Sequence, residues 1–168
     1  PGSESGATWR ASLPPIHYCT HDLGPILEAL ETRCVSAVGM HTGSNVLPEY
    51  GVIDAEVGLF RTASGAVAKI LCAFSIVRNP SLHWMVVYGT RGYLEGPRFG
   101  GEHLLYTERT PNLTAPMKLP VGSSHPDAPP EATAGGHGTS EYFMCNDFVR
   151  CILDDTPPPI AVYRGLDY

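Results

Sequence analysis

A chain of 168 residues with 43 % hydrophobic content is long enough to bury a sizeable core without disulfide support. Its formal charge of −6, with 11 Lys+Arg spread along the sequence, offers no basic patch for phosphate backbones or anionic lipid and argues against nucleic-acid and membrane partners. No apolar run approaches the roughly 20 residues of a membrane span and no charged lead opens into an apolar one, so the chain reads as soluble and cytoplasmic.

Five cysteines (Cys19, Cys34, Cys72, Cys145, Cys151) make an odd number without a CxxC pair, which fits reduced thiols in that compartment. The opening Pro1-Gly2-Ser3-Glu4-Ser5-Gly6 holds no core-forming residue, and residues 1–10 read as a flexible lead from a missing N-terminal domain. Residues 11–168 read as one α+β domain. The chain stops directly after a patterned segment, "AVYRGLDY", and both ends are expected to be cut.

"HYCTHDLGPI", His17 to Ile26, leads into the first patterned element. Leu23, Ile26, Leu27 and Leu30 fall at i, i+3, i+4 and i+7, which predicts an amphipathic helix ending near Glu31 to Arg33. Thr20 or Asp22 is the expected cap, and Pro25 is tolerated if it lies in the first turn. From Val35 the pattern changes to short β-rich runs, "VSAVGMHT", "DAEVGLFRT", "AVAKILCAFSIV", "LHWMVVYG", "GYLEG" and a weaker "HLLYTER", separated by turn signals. Together they predict an antiparallel meander. Ala63-Ser64-Gly65 and Gly89-Thr90-Arg91-Gly92 are its tight connections.

Alternation along the third run puts Ala68, Ile70, Cys72, Phe74 and Ile76 on an apolar face. The opposite face is mixed, as in a sheet with helices on one side, and is left for water or another subunit. Asn112 to Gly136 is rich in Pro, Gly, Ser, Thr and Ala and predicts a long loop. A second helix is expected from Ser140 to Leu153, capped by Thr139 or Ser140, with Tyr142, Cys145, Phe148 and Ile152 near one face. Pro157 to Pro159 end it.

Three groupings carry chemistry. His17, Cys19 and His21 alternate, so on an extended strand they would share one side as a partial zinc set, although no CxxC or HExxH accompanies them. His21 with Tyr18 pairs a group that exchanges protons near neutrality with a phenol that orients the proton, set against the plain alternative of a structural histidine at a helix start. His137 and Glu141, four apart after a Gly-Gly loop, form either a polar site or a solvated helix end. GxGxxG, P-loop, GxSxG and HExxH are all absent, so the chain shows no nucleotide-binding motif of its own.

In their order and spacing, "WRASLPP" (Trp9–Pro15), "THDLGPIL" (Thr20–Leu27), "VVYGTRGYLEG" (Val86–Gly96) and "GGHGTSEYFMCNDFVRCILDDTPPPIAVYRGLDY" (Gly135–Tyr168) resemble the C-terminal domain of the Gfo/Idh/MocA family. This family takes its name from glucose-fructose oxidoreductase and inositol dehydrogenase, and the similarity spans nearly the whole chain. It implies an α+β domain with an open, mostly antiparallel sheet, helices packed on one face, and the other face supporting a homodimer or larger oligomer. It also implies an N-terminal Rossmann domain, absent from this chain, that binds NAD or NADP. No cofactor is then expected on the chain itself, nor a metal.

The same resemblance implies hydride transfer between the nicotinamide and a sugar or cyclitol carbon. A histidine on the first helix, matching His21, would handle the hydroxyl proton with a lysine of the missing domain. Tyr18 is the expected partner of His21, and His17, His137, Glu141 and Tyr142 are the expected substrate-binding residues. His17 stands where many of the dehydrogenases have Asp. The string Tyr18-x-Thr20-His21-x-Leu23-Gly24-Pro25 is also similar to the NAD-dependent α-N-acetylgalactosaminidase branch, glycosidases that oxidise the sugar transiently. A non-catalytic sugar-binding or scaffold domain is the third alternative.

Overall fold

The computed structural model describes residues 13–77, 83–111, 114–120, 125–134 and 136–168. The expected flexible lead lies outside them. Within the chain two compact units form, residues 1–78 with Val162–Tyr168, and Asn79–Ala161.

In the first unit a 3-10 turn, Pro15–Tyr18, passes through Cys19 into helix α1, Thr20–Ala29. Neither Thr20 nor Asp22 caps α1, as was expected, because the chain enters the helix already helical at Cys19 (φ −60°, ψ −20°). The Cys19 N–H donates to the Ile16 carbonyl of the 3-10 turn at 2.9 Å, and the Cys19 carbonyl accepts the Asp22 and Leu23 N–H groups at 3.0 and 2.7 Å, so the helix continues the turn with no capping side chain. The earlier start also moves Pro25 out of the first turn and into the helix interior. The helix ends before the expected Glu31–Arg33: Leu30 is its C-cap and Glu31 turns left-handed at φ 47°.

Strands β1 (Cys34–His41), β2 (Ala55–Thr62) and β3 (Val67–Ala73) form an antiparallel meander in chain order. The β2–β3 hairpin closes over Ala63-Ser64-Gly65 as expected, with Gly65 at φ 90° and the Thr62 N–H donating to the Ala66 carbonyl at 2.9 Å. Ala68, Ile70 and Cys72 point into the core with Leu23 and Leu27, and Ile16, Ile26 and Phe60 pack around them. Each buried Leu or Ile there contributes about 1.5–3 kcal/mol. Phe74 and Ile76 do not continue that face as expected, because β2 begins at Ala55, whose partner is Ala73. Beyond that pair no strand pairing continues among the described residues, and both side chains are exposed.

The outer face of this sheet stays open. Its cross-strand rows are Met40–Val57–Leu71 and Val38–Leu59–Lys69, and Met40, Val38, Leu59 and Leu71 are exposed.

The second unit holds the antiparallel sheet β4 (Val86–Gly89), β5 (Gly92–Glu95), β6 (His103–Thr107) and β7 (Met117–Leu119), again in chain order. The expected turn joins Gly89 to its partner Gly92. A Cβ on Gly92 would stand 2.2 Å from the Tyr106 carbonyl oxygen, so only glycine permits this strand approach. The expected loop at Asn112–Gly136 contains β7 and a 3-10 turn, Pro130–Ala134, both too short for sequence periodicity to register. Helix α2 spans Ser140–Leu153 as expected, with Thr139 at the N-cap position. Its apolar side is not buried as a core face: no residue of α2 is buried, and Phe148 and Ile152 are 65 % and 66 % exposed. A last helical turn, α3, covers Val162–Gly165 and belongs to the first unit. The fold class is therefore α+β with antiparallel sheets, and in the first unit α1 packs on one sheet face.

Candidate active site

His21 lies in the first turn of α1, and Tyr18 ends the 3-10 turn before it. Their rings stack with centroids 5.6 Å apart and planes 26° from parallel. Three long-range contacts place the pair. Glu56 on β2 accepts the Ile16 N–H at 2.7 Å through Oε2, tying the 3-10 turn to the sheet. Phe74, just past β3, meets the Tyr18 ring edge-on at 5.0 Å. Leu23 and Leu27 anchor the helix beneath. His21 is exposed and Tyr18 half-buried, so the imidazole, a group able to exchange protons near neutrality, is open to an incoming molecule.

His17 is exposed on the same 3-10 turn, its N–H donating to the Pro14 carbonyl at 3.1 Å. His17, Cys19 and His21 lie on helical rather than extended backbone, so the alternation that would gather them as zinc ligands is lost. Among the described residues no group of three or more His, Cys, Asp or Glu is arranged to hold a metal ion.

All five cysteines are free thiols. Burial pushes the Cys72 pKa up to about 11, which keeps it a protonated, inert core residue at neutral pH. Asp54, 3 % exposed, has a different task. Burial opposes its ionisation, but its carboxylate accepts the Asn45 N–H at 2.7 Å, the Val46 N–H at 3.2 Å and the Asn45 amide at 3.2 Å. These donors outweigh burial and hold its pKa below the ordinary range, so Asp54 organises the β1–β2 loop as a fixed anion.

The other candidate residues belong to the second unit. His137 Nδ1 donates to Glu141 Oε1 at 2.5 Å, and the His137 N–H reaches Glu141 Oε2 at 3.3 Å. The hydrogen bond from His137 holds the Glu141 carboxyl below its ordinary pKa. Ser140 Oγ donates to the His137 carbonyl at 2.8 Å, so the cluster closes the entry to α2. Glu141 in the first turn also complements the helix dipole. Tyr142 packs edge-on against Phe143 at 5.4 Å. Phe143 in turn lies against the His125 ring at 4.8 Å, and the buried Thr139 hydroxyl accepts the His125 N–H at 3.0 Å.

Two groups thus form, Tyr18–His21 on the first unit and His137–Glu141 on the second, each inside its own unit. Sequence reasoning missed Glu56 and Phe74, which hold the first group. They stand 40 and 56 residues from their partners, and no local pattern announces a contact over such distances.

The fold and site define an α+β, antiparallel-sheet domain with a histidine–tyrosine pair at the head of its first helix. Among solved structures it is similar to the aldose-aldose oxidoreductase from Caulobacter crescentus complexed with glycerol, at a TM-score of 0.60 and 18 % identity. That match covers 88 % of this chain and 39 % of the other, so the present chain spans about two fifths of the enzyme it resembles. No protein-family model matches the chain, and neither does any curated protein. No helix among the described residues is long and apolar enough to cross a membrane.

Proposed function

We propose that this chain is the substrate side of an NAD- or NADP-dependent oxidoreductase of the Gfo/Idh/MocA family, acting on a sugar, cyclitol or related polyol. The observation that carries the reading is the fold likeness to an aldose-aldose oxidoreductase across 88 % of the chain. The ordered motifs and the stacked Tyr18–His21 pair support it. In this reading His21 takes the hydroxyl proton as hydride leaves the adjacent carbon, and Tyr18 orients the imidazole. A Rossmann domain outside this chain would hold the nicotinamide, which would supply the hydride-accepting chemistry. His17, on the same turn, contributes to substrate binding, while His137, Glu141 and Tyr142 form a polar cluster of their own on the second unit. The open rows Met40–Val57–Leu71 and Val38–Leu59–Lys69 suit a homo-oligomer contact.

The test is a panel of aldoses and cyclitols given to the longer parent protein with NAD or NADP, followed by nicotinamide absorbance. Reduction of the cofactor with at least one sugar is expected, and the isolated chain is expected to bind neither nucleotide. Tight nucleotide binding by these 168 residues alone would overturn the reading.

The tyrosine stacked on His21 also favours a second reading, the NAD-dependent α-N-acetylgalactosaminidase branch. Release of free sugar from a glycoside without net cofactor reduction would select it. A scaffold role would leave every substrate unturned.

A further inference from the structure

Helix α1 contains a weak point directly after its functional turn. Gly24 is among the poorest helix formers, and Pro25 has no N–H to give to the His21 carbonyl one turn back. One backbone hydrogen bond between the turn that carries His21 and the next is therefore missing, and the two are joined in the core through Leu23 on one side and Leu27 on the other. At ten residues, α1 is too short to hold itself rigid in isolation.

The C-terminal segment grips the helix beyond this point through Arg164 and reaches back to it through Tyr168. Arg164 on α3 donates from Nη2 to the Leu27 carbonyl at 3.0 Å, from Nη1 to the Thr32 carbonyl at 2.8 Å and from Nε to Glu28 Oε1 at 2.7 Å. One guanidinium thus satisfies two carbonyls at the helix end and a side chain on its last turn. The Tyr168 hydroxyl donates to the same Glu28 oxygen, and the Tyr168 ring lies on Gly24, where a Cβ would stand 3.3 Å from Cδ2. His21, Gly24 and Glu28 fall at i, i+3 and i+7, so the Tyr168 contacts run along the helix side that bears His21.

We propose that Tyr168, spanning from Gly24 to Glu28 and held by Arg164 through Glu28 and the face of its own ring, forms a splint across the Gly24–Pro25 break, and that Arg164 is thereby a positioning residue for the Tyr18–His21 pair. Gly24 is the seat of the splint, since a larger residue would lift the Tyr168 ring away. The catalytic consequence rests on the reading of His21 as the proton-handling group. The structural claim does not.

The experiment follows the His21 ring protons by NMR in the labelled chain, where the stacked Tyr18 ring displaces them. In Arg164→Ala that displacement is expected to be lost while the Leu23 and Leu27 methyl signals stay dispersed. Guanidinium ion, far below denaturing concentration, is expected to restore it. Arg164→Lys keeps a charge but not the fork, and it carries the same expectation should the alanine variant fail to fold.

Gly24→Ala is expected to lower the melting temperature alone and to raise it in a Tyr168→Leu background. This arm needs no Arg164 variant. Unmoved His21 signals in a folded Arg164 variant, or a Gly24→Ala effect independent of Tyr168, would overturn the splint. In the parent enzyme Arg164→Lys is expected to lower kcat by about tenfold or more with KM little changed, as for a misplaced reacting group. If His21→Ala leaves turnover intact, the functional reading falls and the NMR result stands. If His21→Ala abolishes turnover while Arg164→Lys changes neither signals nor kcat, the splint alone falls.

Discussion

Helices α1 and α2 are both amphipathic, yet α1 lies on a sheet and α2 leaves its apolar side in solvent. Leu23 and Leu27 are almost wholly buried against Ala68, Ile70 and Cys72, whereas Phe148 and Ile152 on α2, at least as apolar, stay mostly exposed. Periodicity states which side of a helix is apolar. It says nothing of what covers that side, because the covering surface comes from residues distant in sequence or from another molecule.

The contrast breaks most readily at Leu27. Leu27→Ala is expected to cost about 2–5 kcal/mol in a denaturant titration, a large fraction of a small domain's stability. A loss below about 1 kcal/mol would mean that α1 is not anchored as described. Gly92→Ala probes the second unit at its tightest strand approach, where forcing in a methyl group is expected to cost about 1–3 kcal/mol by the same titration. Glu31→Gly is expected to stabilise by about 1 kcal/mol, since a left-handed residue at a helix end suits glycine better than any side chain. Thermal melts would show its sign directly. Phe148→Ala is expected to change stability by no more than about 0.5 kcal/mol, as for an exposed position. Equality with Leu27→Ala would erase the contrast.

The smallest expected effect is a pH dependence. Hydrogen bonds from Tyr168 and then Arg164 hold the Glu28 carboxyl below its ordinary value of 4.5. A depressed folded-state pKa contributes stability that is present above the ordinary value and lost as pH falls through the folded one. Glu28→Gln is therefore expected to flatten that acid limb of the melting-temperature profile. An unchanged limb would remove Glu28 from the linkage.

Much of the fold was legible in local pattern. The Leu23–Leu27 stripe, the Ala63–Gly65 hairpin, the Gly89–Gly92 turn and the bounds of α2 all follow from periods and turn residues that act over a few positions. The errors have the same physical origin as each other. Capping at Thr20 or Asp22 gave way to a preceding 3-10 turn that runs straight into the helix, and Phe74 left the core when β2 ran out of residues. Each outcome depends on a partner that no local window contains. At the site, the chemistry of Tyr18 and His21 suggested the pairing, and their spacing of three positions on helical backbone brings the rings together. Glu56 and Phe74 were not legible, since they reach the pair from β2 and from just past β3.

The assignment of His21 as the proton-handling group is tested most directly by turnover of the parent protein carrying His21→Ala, measured with the sugar and nicotinamide cofactor that support the parent. With the melting temperature and cofactor affinity unchanged, kcat is expected to fall by about 10²–10⁴, the usual contribution of a positioned acid–base group. Turnover within a factor of about two of the parent, far inside that range, would contradict the assignment and leave His21 a structural residue at the head of α1.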